Sequence, residues 1–270
     1  MTLLQAIILG AVQGATEFLP ISSTAHLALV PWFFGWTDPG LGFDMALHLG
    51  TLVSLLLFFR TEWIALLQGG IDLLRGRRES PNAKLMLFIV IATIPALIAG
   101  ALLSDFSDTT LRHPVVIASA LIVLALVLVL AERTGRRYTT LERITLGDAL
   151  SVGCAQALAI VPGVSRSGVT ITAALFRGMT REAAARFSFL LSTPIIGAAV
   201  SKAIFDGARH GFPAVPPSSA IVGIIVSGVV GYLSIAFLLR YLATHNTFVF
   251  VYYRIALGLL VLAAYFKGMS

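Results

Sequence analysis

Hydrophobic residues along this chain come in long unbroken runs, parted by short polar stretches. Six runs are long enough to cross a bilayer as helices, which takes roughly 17–25 residues. They are about Phe43–Phe59, Leu85–Leu103, Pro114–Ala131, Phe187–Phe205, Ser218–Leu239 and Thr247–Phe266. None alternates with the period of two that a barrel strand needs; Val115–Ala131, for example, reads VVIASALIVLALVLVLA. Only helices and closed barrels satisfy their backbone in lipid, so the pattern predicts an all-α integral membrane protein with six transmembrane helices.

Two further apolar stretches are interrupted. Thr2–Phe34 breaks at Pro20–Thr24 and again near Pro31, and Thr145–Phe176 breaks at Pro162–Gly168. Each piece is too short to span comfortably. The two stretches therefore read as re-entrant helical hairpins, whose irregular backbone is tolerated at membrane depth only where protein buries it or a cavity runs beside it. One broken stretch and three spans occur twice. A single membrane domain of residues 1–270 thus divides into repeats of about 1–131 and 145–267. Three is odd, so the repeats face opposite ways, an inverted-topology repeat that puts functional groups near the midplane at the tips of broken helices. Gly10-Ala-Val-Gln13 before Pro20 faintly matches Gly153-Cys-Ala-Gln156 before Pro162.

Charge gives the orientation. Basic residues fall in three connections: Arg60, Arg75, Arg77, Arg78 and Lys84; then Arg133, Arg136, Arg137 and Arg143; then Arg177, Arg181 and Arg186. The positive-inside rule places these in the cytoplasm, with Ser104–His113 and Asp206–Pro217 outside. The first hairpin then enters from outside and the second from the cytoplasm. Topology accounts for the formal charge of +6, so no nucleic-acid partner is expected. With 57% hydrophobic and 12% charged residues the chain lies outside the soluble range. One cysteine, Cys154, excludes a disulfide framework and a cysteine metal site. No Lys or Arg precedes Arg60, so the N-terminus reads as part of the mature fold rather than as a signal peptide.

Polar chemistry concentrates at the two breaks. The first reads QGATEFLPISSTAH over Gln13–His26, the second PGVSRSG over Pro162–Gly168. Ser22, Ser23 and Thr24 after Pro20 signal a helix N-terminus, a ready anion site. Gly163 and Gly168 allow close backbone approach to a ligand, and Ser165 and Ser167 add hydroxyl donors. Arg166 can clamp phosphate oxygens in bidentate fashion. Glu17 and His26 form the natural acid–base pair, with Ser23 or Thr24 as a hydroxyl nucleophile. Together these groups suit hydrolysis of a phosphate ester or anhydride. Blander roles compete: hydroxyls in apolar helices bond back to carbonyls, and a histidine can be a satisfied core donor. A glutamate inside the bilayer is expensive and by default functional. Asp44 and His48 share a helical face within reach of the site, or serve a helix end. Arg254 reads as structural, Lys202 as snorkelling, and Gly228–Tyr232 as a helix-packing patch.

These motifs, with FDMALHLGT at Phe43–Thr51 and RFSFLLSTP at Arg186–Pro194, give a full-length resemblance. The chain resembles the bacitracin-resistance type of undecaprenyl-diphosphate phosphatase. The resemblance implies release of the terminal phosphate of undecaprenyl diphosphate, a polyprenyl diphosphate lipid, to give the monophosphate carrier of peptidoglycan precursors. It implies a divalent cation, Mg²⁺ or Ca²⁺, with Glu17 a candidate ligand, and a multi-pass protein of the bacterial cytoplasmic (inner) membrane whose site opens to the periplasm. Catalytic roles map onto Glu17, Ser23, His26 and Arg166, with Ser23 and His26 both open as the group that attacks phosphorus. Substrate contacts map onto Gln13, Ser22, Thr24, Gly163, Ser165, Ser167 and Gly168. Gln13 stands where the family has a glutamate or a glutamine and cannot be a second carboxylate. Glu17 then acts alone or with Asp44. A lipid flippase or secondary transporter of the same inverted-repeat design is the alternative, followed by a non-catalytic lipid-phosphate binder. Membrane lipids surround the chain, and the sequence leaves a homodimer open.

Overall fold

Thr2 and Thr145 open the two broken stretches with the same device. In each, the threonine hydroxyl accepts from the backbone N–H three residues on, and the side chain there, Gln5 or Asp148, accepts from the threonine N–H. These capping boxes satisfy two orphan donors of each helix start. From them run α1 (Leu3–Phe18) and α7 (Leu146–Ala157), with a 3₁₀ turn over Leu158–Ile160 extending the latter. After each break a second short helix begins, α2 (Ser23–Phe34) and α8 (Arg166–Phe176). At 16, 12, 12 and 11 residues, the four helices are about 16–24 Å long, short of the roughly 30 Å hydrocarbon core.

The structure, a computed structural model, describes residues 1–77, 79–211 and 215–268, with the backbone alone at 104–110. Arg78 lies outside the described residues, as do the side chains at 104–110 and residues 212–214, which fall in the two stretches expected on the outside. The remaining helices are α3 (Leu41–Phe58), α4 (Arg60–Leu74), α5 (Pro81–Thr110), α6 (Pro114–Thr134), α9 (Arg181–His210), α10 (Pro217–Thr244) and α11 (Phe248–Phe266). Among the described residues no named strand occurs; Thr139 and Met179 form one isolated bridge. Six helices, α3, α5, α6, α9, α10 and α11, are long and apolar enough to cross a membrane. The chain is an all-helical, multi-pass membrane protein.

Two expectations fail in the first half. Arg60–Lys84 is not a simple loop, because α4 fills most of it, and Glu62 on that helix pairs with Arg186 of α9 at 3.2 Å. Pro31 does not break α2; it sits inside that helix, which ends instead at Gly35 in the left-handed region (φ 63°). A proline in a helix removes one hydrogen bond and strains one turn, and packing outweighs that here.

Packing is reciprocal between the halves. Helix α1 lies along α10, α7 along α5, α6 along α11 and α3 along α9. Close approach depends on glycine at both short-helix contacts. A Cβ on Gly14 would stand 2.6 Å from Ser227 O, and one on Gly153 would stand 2.3 Å from Ala92 O. The main apolar core gathers Phe18, Phe59, Phe187 and Phe189, with Phe18 and Phe189 edge to face at 5.5 Å. At the end of α6 the buried Glu132 accepts from Arg137 at 2.7 Å, from Thr247 at 2.9 Å and from Arg181. This cluster ties α6, α9 and α11 together.

Candidate active site

Gln13 and Glu17 lie one turn apart on α1, so both face the same way, and both are buried. The chain then turns sharply at Ser22, a non-glycine residue at φ 78°, whose hydroxyl accepts from Ala25 N at 3.4 Å and meets Thr24 Oγ1 at 3.2 Å. Ser165 repeats the geometry before α8. Its φ is 69°, and its hydroxyl accepts from Gly168 N at 3.1 Å and meets Ser167 Oγ at 3.3 Å. Positive φ is rare away from glycine, and its use at both helix starts marks strained, over-determined turns.

The residue after each strained serine reaches the same carboxylate. Ser23 Oγ donates to Glu17 Oε2 at 2.5 Å, and Arg166 Nη2 donates to Glu17 Oε1 at 2.5 Å. The breaks are also stitched by Ser167 Oγ, which donates to Leu19 O at 3.0 Å. Gln13 Nε2 donates to Glu17 Oε2 at 3.0 Å, and His48 Nε2 lies 3.5 Å from that oxygen. His48 keeps its other nitrogen, Nδ1, 2.7 Å from Asp44 O, and the Asp44 carboxylate pairs with Arg112 at 3.2 Å. Asp44 therefore buttresses the site from α3 without touching Glu17 through its carboxylate.

Two buried polar atoms here have no partner: Arg166 Nη1 and Gln13 Oε1. An unpaired buried donor or acceptor is costly and calls for a partner, whether water, ion or ligand. Arg166 Nη1, beside the N-termini of α2 and α8, offers a donor to an anion. Gln13 Oε1 offers an oxygen. Among the described residues no three His, Cys, Asp or Glu side chains gather as a metal-holding group. Glu17 and Gln13 Oε1 would supply two oxygens. That suits a hard divalent cation completed by substrate phosphates, the way Mg²⁺ is commonly held.

His26 does not pair with Glu17. Its Nδ1 lies 2.7 Å from Ser22 O and its Nε2 lies 2.7 Å from Tyr253 Oη. Tyr253 had no place in the sequence reading; a tyrosine in an apolar span looks like an interfacial anchor. Thr24 stays beside Ser22 on the first turn of α2. Gly163 and Gly168 meet protein where a Cβ would stand. The nearest atoms are Ile117 O at 2.5 Å for Gly163, which has φ +94°, and Arg254 Nη1 at 2.6 Å for Gly168. Both glycines serve close packing behind the breaks.

Arg254 explains how the breaks hold their shape. It is fully buried and donates to four carbonyls: Pro20 O at 3.3 Å, Gly163 O at 3.1 Å, Val164 O at 3.0 Å and Leu121 O at 3.2 Å. Carbonyls of both breaks that no helix satisfies are thus gathered on one guanidinium. Its expected structural role is the one observed.

The family model for bacitracin resistance protein BacA matches residues 6–260. An undecaprenyl-diphosphatase of Gemmatimonas aurantiaca is 48% identical over 264 residues, covering 97% of this chain and 98% of the relative. Those of Desulforudis audaxviator and Moorella thermoacetica are 48% and 46% identical, covering 96% and 98% of this chain and the same shares of the relatives. With the family model and these relatives each matching nearly the whole length, the chain belongs to the bacitracin resistance protein BacA family.

Proposed function

We propose that the chain hydrolyses undecaprenyl diphosphate to undecaprenyl phosphate and inorganic phosphate in the bacterial inner membrane. The observation that carries this reading is the meeting of the two breaks: Arg166 and Ser23, from opposite halves, both bind Glu17. A buried carboxylate, an arginine with a free donor and a hydroxyl at a helix N-terminus are the parts of a phosphoryl-transfer site, where positioning and charge stabilisation dominate. Relatives covering nearly all of the chain carry the name undecaprenyl-diphosphatase.

In this reading α1–α2 and α7–α8 are re-entrant hairpins of an inverted repeat. Their shortness, the matching capping boxes and strained serine caps, and the reciprocal packing of α1 on α10 and α7 on α5 support it. The basic connections lie in the cytoplasm, so the first hairpin opens the site to the periplasm. Many large apolar side chains on the long helices are exposed, as lipid contact requires, and the polyprenyl tail lies among them. Both breaks come from one chain, so the site needs no second copy.

Arg166 Nη1 and the N–H groups at the starts of α2 and α8 hold the terminal phosphate. Ser23 Oγ attacks its phosphorus as Glu17 takes the hydroxyl proton, and the bond to the bridging oxygen breaks, releasing the lipid monophosphate. Water, giving a proton to His26, then attacks the seryl phosphate; the bond from phosphorus to Ser23 Oγ breaks, inorganic phosphate leaves, Glu17 returns its proton to Ser23, and His26 passes its proton to solvent. Gln13 and Glu17 would hold a divalent cation beside the diphosphate, where it supplies charge neutralisation.

Phosphate release from a polyprenyl diphosphate by purified protein in detergent tests the reading. Wild type is expected to release phosphate. Arg166→Ala, Glu17→Ala and His26→Ala, shown to be folded, are expected to lose it. No release by wild type, with and without Mg²⁺ or Ca²⁺, overturns the reading.

A further inference from the structure

Both nitrogens of His26 are engaged, and their partners fix the tautomer. Nδ1 faces Ser22 O at 2.7 Å. A carbonyl only accepts, so Nδ1 carries the proton. In the neutral ring Nε2 is then a bare lone pair, and Tyr253 Oη, 2.7 Å away, must be its donor. The two rings lie nearly parallel, 9° between planes with centroids 5.6 Å apart. Their residues are 227 positions apart, so the contact joins the start of α2 to the last helix of the chain. The next residue along α11 is Arg254, which is anchored on the carbonyls of both breaks. The backbone that presents Tyr253 is therefore held by the same framework that shapes the site.

A merely satisfied core histidine would be buried together with its partner. Here His26 is 8% exposed and Tyr253 is 44% exposed, so the phenol is the outer member of the pair. We propose that Tyr253 is a positioning residue for His26: its hydroxyl holds the base nitrogen in the resting site and releases it only when the phenol swings outward. This rests on the reading of His26 as the base of the proposed hydrolysis. Nε2 is the ring atom with a lone pair to use, and it is the atom that Tyr253 covers. Substrate arrival must therefore displace one hydrogen bond before His26 can accept a proton from water.

The test uses full-length protein in detergent and the variant Tyr253→Phe, which keeps the ring and removes the hydroxyl. Carbethoxylation of His26 by diethyl pyrocarbonate is followed on its own peptide by mass spectrometry. The nitrogen resonances of His26 are read in ¹⁵N-histidine-labelled protein. With Nε2 freed, labelling of His26 is expected to speed up by about two- to tenfold, the worth of one neutral hydrogen bond. Its Nε2 resonance should move while Nδ1 stays protonated. Tyr252→Phe, the neighbouring change on the 68% exposed side chain, should leave both readouts at the wild-type value. An unchanged labelling rate and Nε2 resonance in Tyr253→Phe overturns the proposal. Neither readout needs turnover. If wild type releases no phosphate but Tyr253→Phe still unmasks His26, the function reading falls and the positioning contact stands; intact release with unchanged labelling sinks this inference alone.

Discussion

Arg166 and Glu17 lie 149 residues apart in the chain and 2.5 Å apart in the fold, guanidinium Nη2 to carboxylate Oε1. Glu17 lies in the last turn of α1 and Arg166 opens α8, each beside the break of its own half. Removing one partner of a buried pair leaves the other uncompensated, at a cost of about 3–5 kcal/mol. The pair therefore ties the halves together as well as furnishing the site.

Arg166→Lys keeps the charge and loses the fork. Lysine can meet Glu17 or a phosphate oxygen, but not both in the planar geometry that leaves Nη1 free. Phosphate release by this variant should fall by about 10²-fold, the size of effect seen when one transition-state donor is lost. Steady-state release at saturating polyprenyl diphosphate measures it, and a rate within a few-fold of wild type would show that the fork is not used.

Arg254 should behave differently. Arg254→Met leaves the three break carbonyls, Pro20 O, Gly163 O and Val164 O, without this donor, each unsatisfied group costing about 1–3 kcal/mol. Thermal unfolding in detergent should show a stability loss at least as large as that of Arg166→Lys, with release lost through misplacement of both breaks. A variant as stable as wild type would mean that water replaces the guanidinium.

Much of this arrangement was legible in the chain. Runs of apolar residues located all six spans; the run at Pro114–Ala131 became a helix at Pro114–Thr134, while α5 and α9 extend about four to seven residues beyond each end of their runs, into polar sequence that carries no hydrophobic signal. The two breaks announced themselves through Pro20 and Pro162, each followed within a few residues by clustered hydroxyls, whereas a lone proline does not end a helix here: Pro31, Pro95 and Pro194 lie inside α2, α5 and α9. Helix α4 was missed because TEWIALLQGGIDLL is too polar to span and too short to dominate a loop rich in arginine. Pro31 misled for the opposite reason: a local rule was outweighed by packing around α2. Tyr253 was invisible because its meaning depends on an acceptor 227 residues away, and no periodicity carries that information.

Glycine positions give a stability contrast free of the chemistry. A Cβ at Gly14 would stand 2.6 Å from Ser227 O and 2.8 Å from Gly231 N, both backbone atoms that cannot yield cheaply. Gly14→Val should push α1 off α10 and cost about 1–3 kcal/mol, as overpacking does. A Cβ at Gly100 would meet none of the described atoms within 4 Å outside its own stretch of helix, so Gly100→Ala should be neutral or stabilising by up to about 1 kcal/mol through helix propensity. Melting temperatures of the two variants in the same detergent decide it; equal shifts would mean that the α1–α10 contact is softer than its distances imply.

Gln13 offers the sharpest test of how a cation would be held. Its Nε2 donates to Glu17 Oε2 at 3.0 Å, while its Oε1 is buried without a partner. Gln13→Glu turns that donor into a second carboxylate oxygen against Glu17. Two carboxylates this close repel unless a proton or a cation lies between them. If a divalent cation is shared by this pair and the substrate phosphates, the added charge should lower the Mg²⁺ or Ca²⁺ concentration giving half-maximal phosphate release, with full activity recovered at saturation. If no cation binds here, the variant should lose activity at every cation concentration, because Glu17 has lost a hydrogen bond and gained a like charge. Titrating each cation against release for wild type and Gln13→Glu separates the cases: a leftward shift places the ion beside Glu17, and a uniform loss puts it elsewhere.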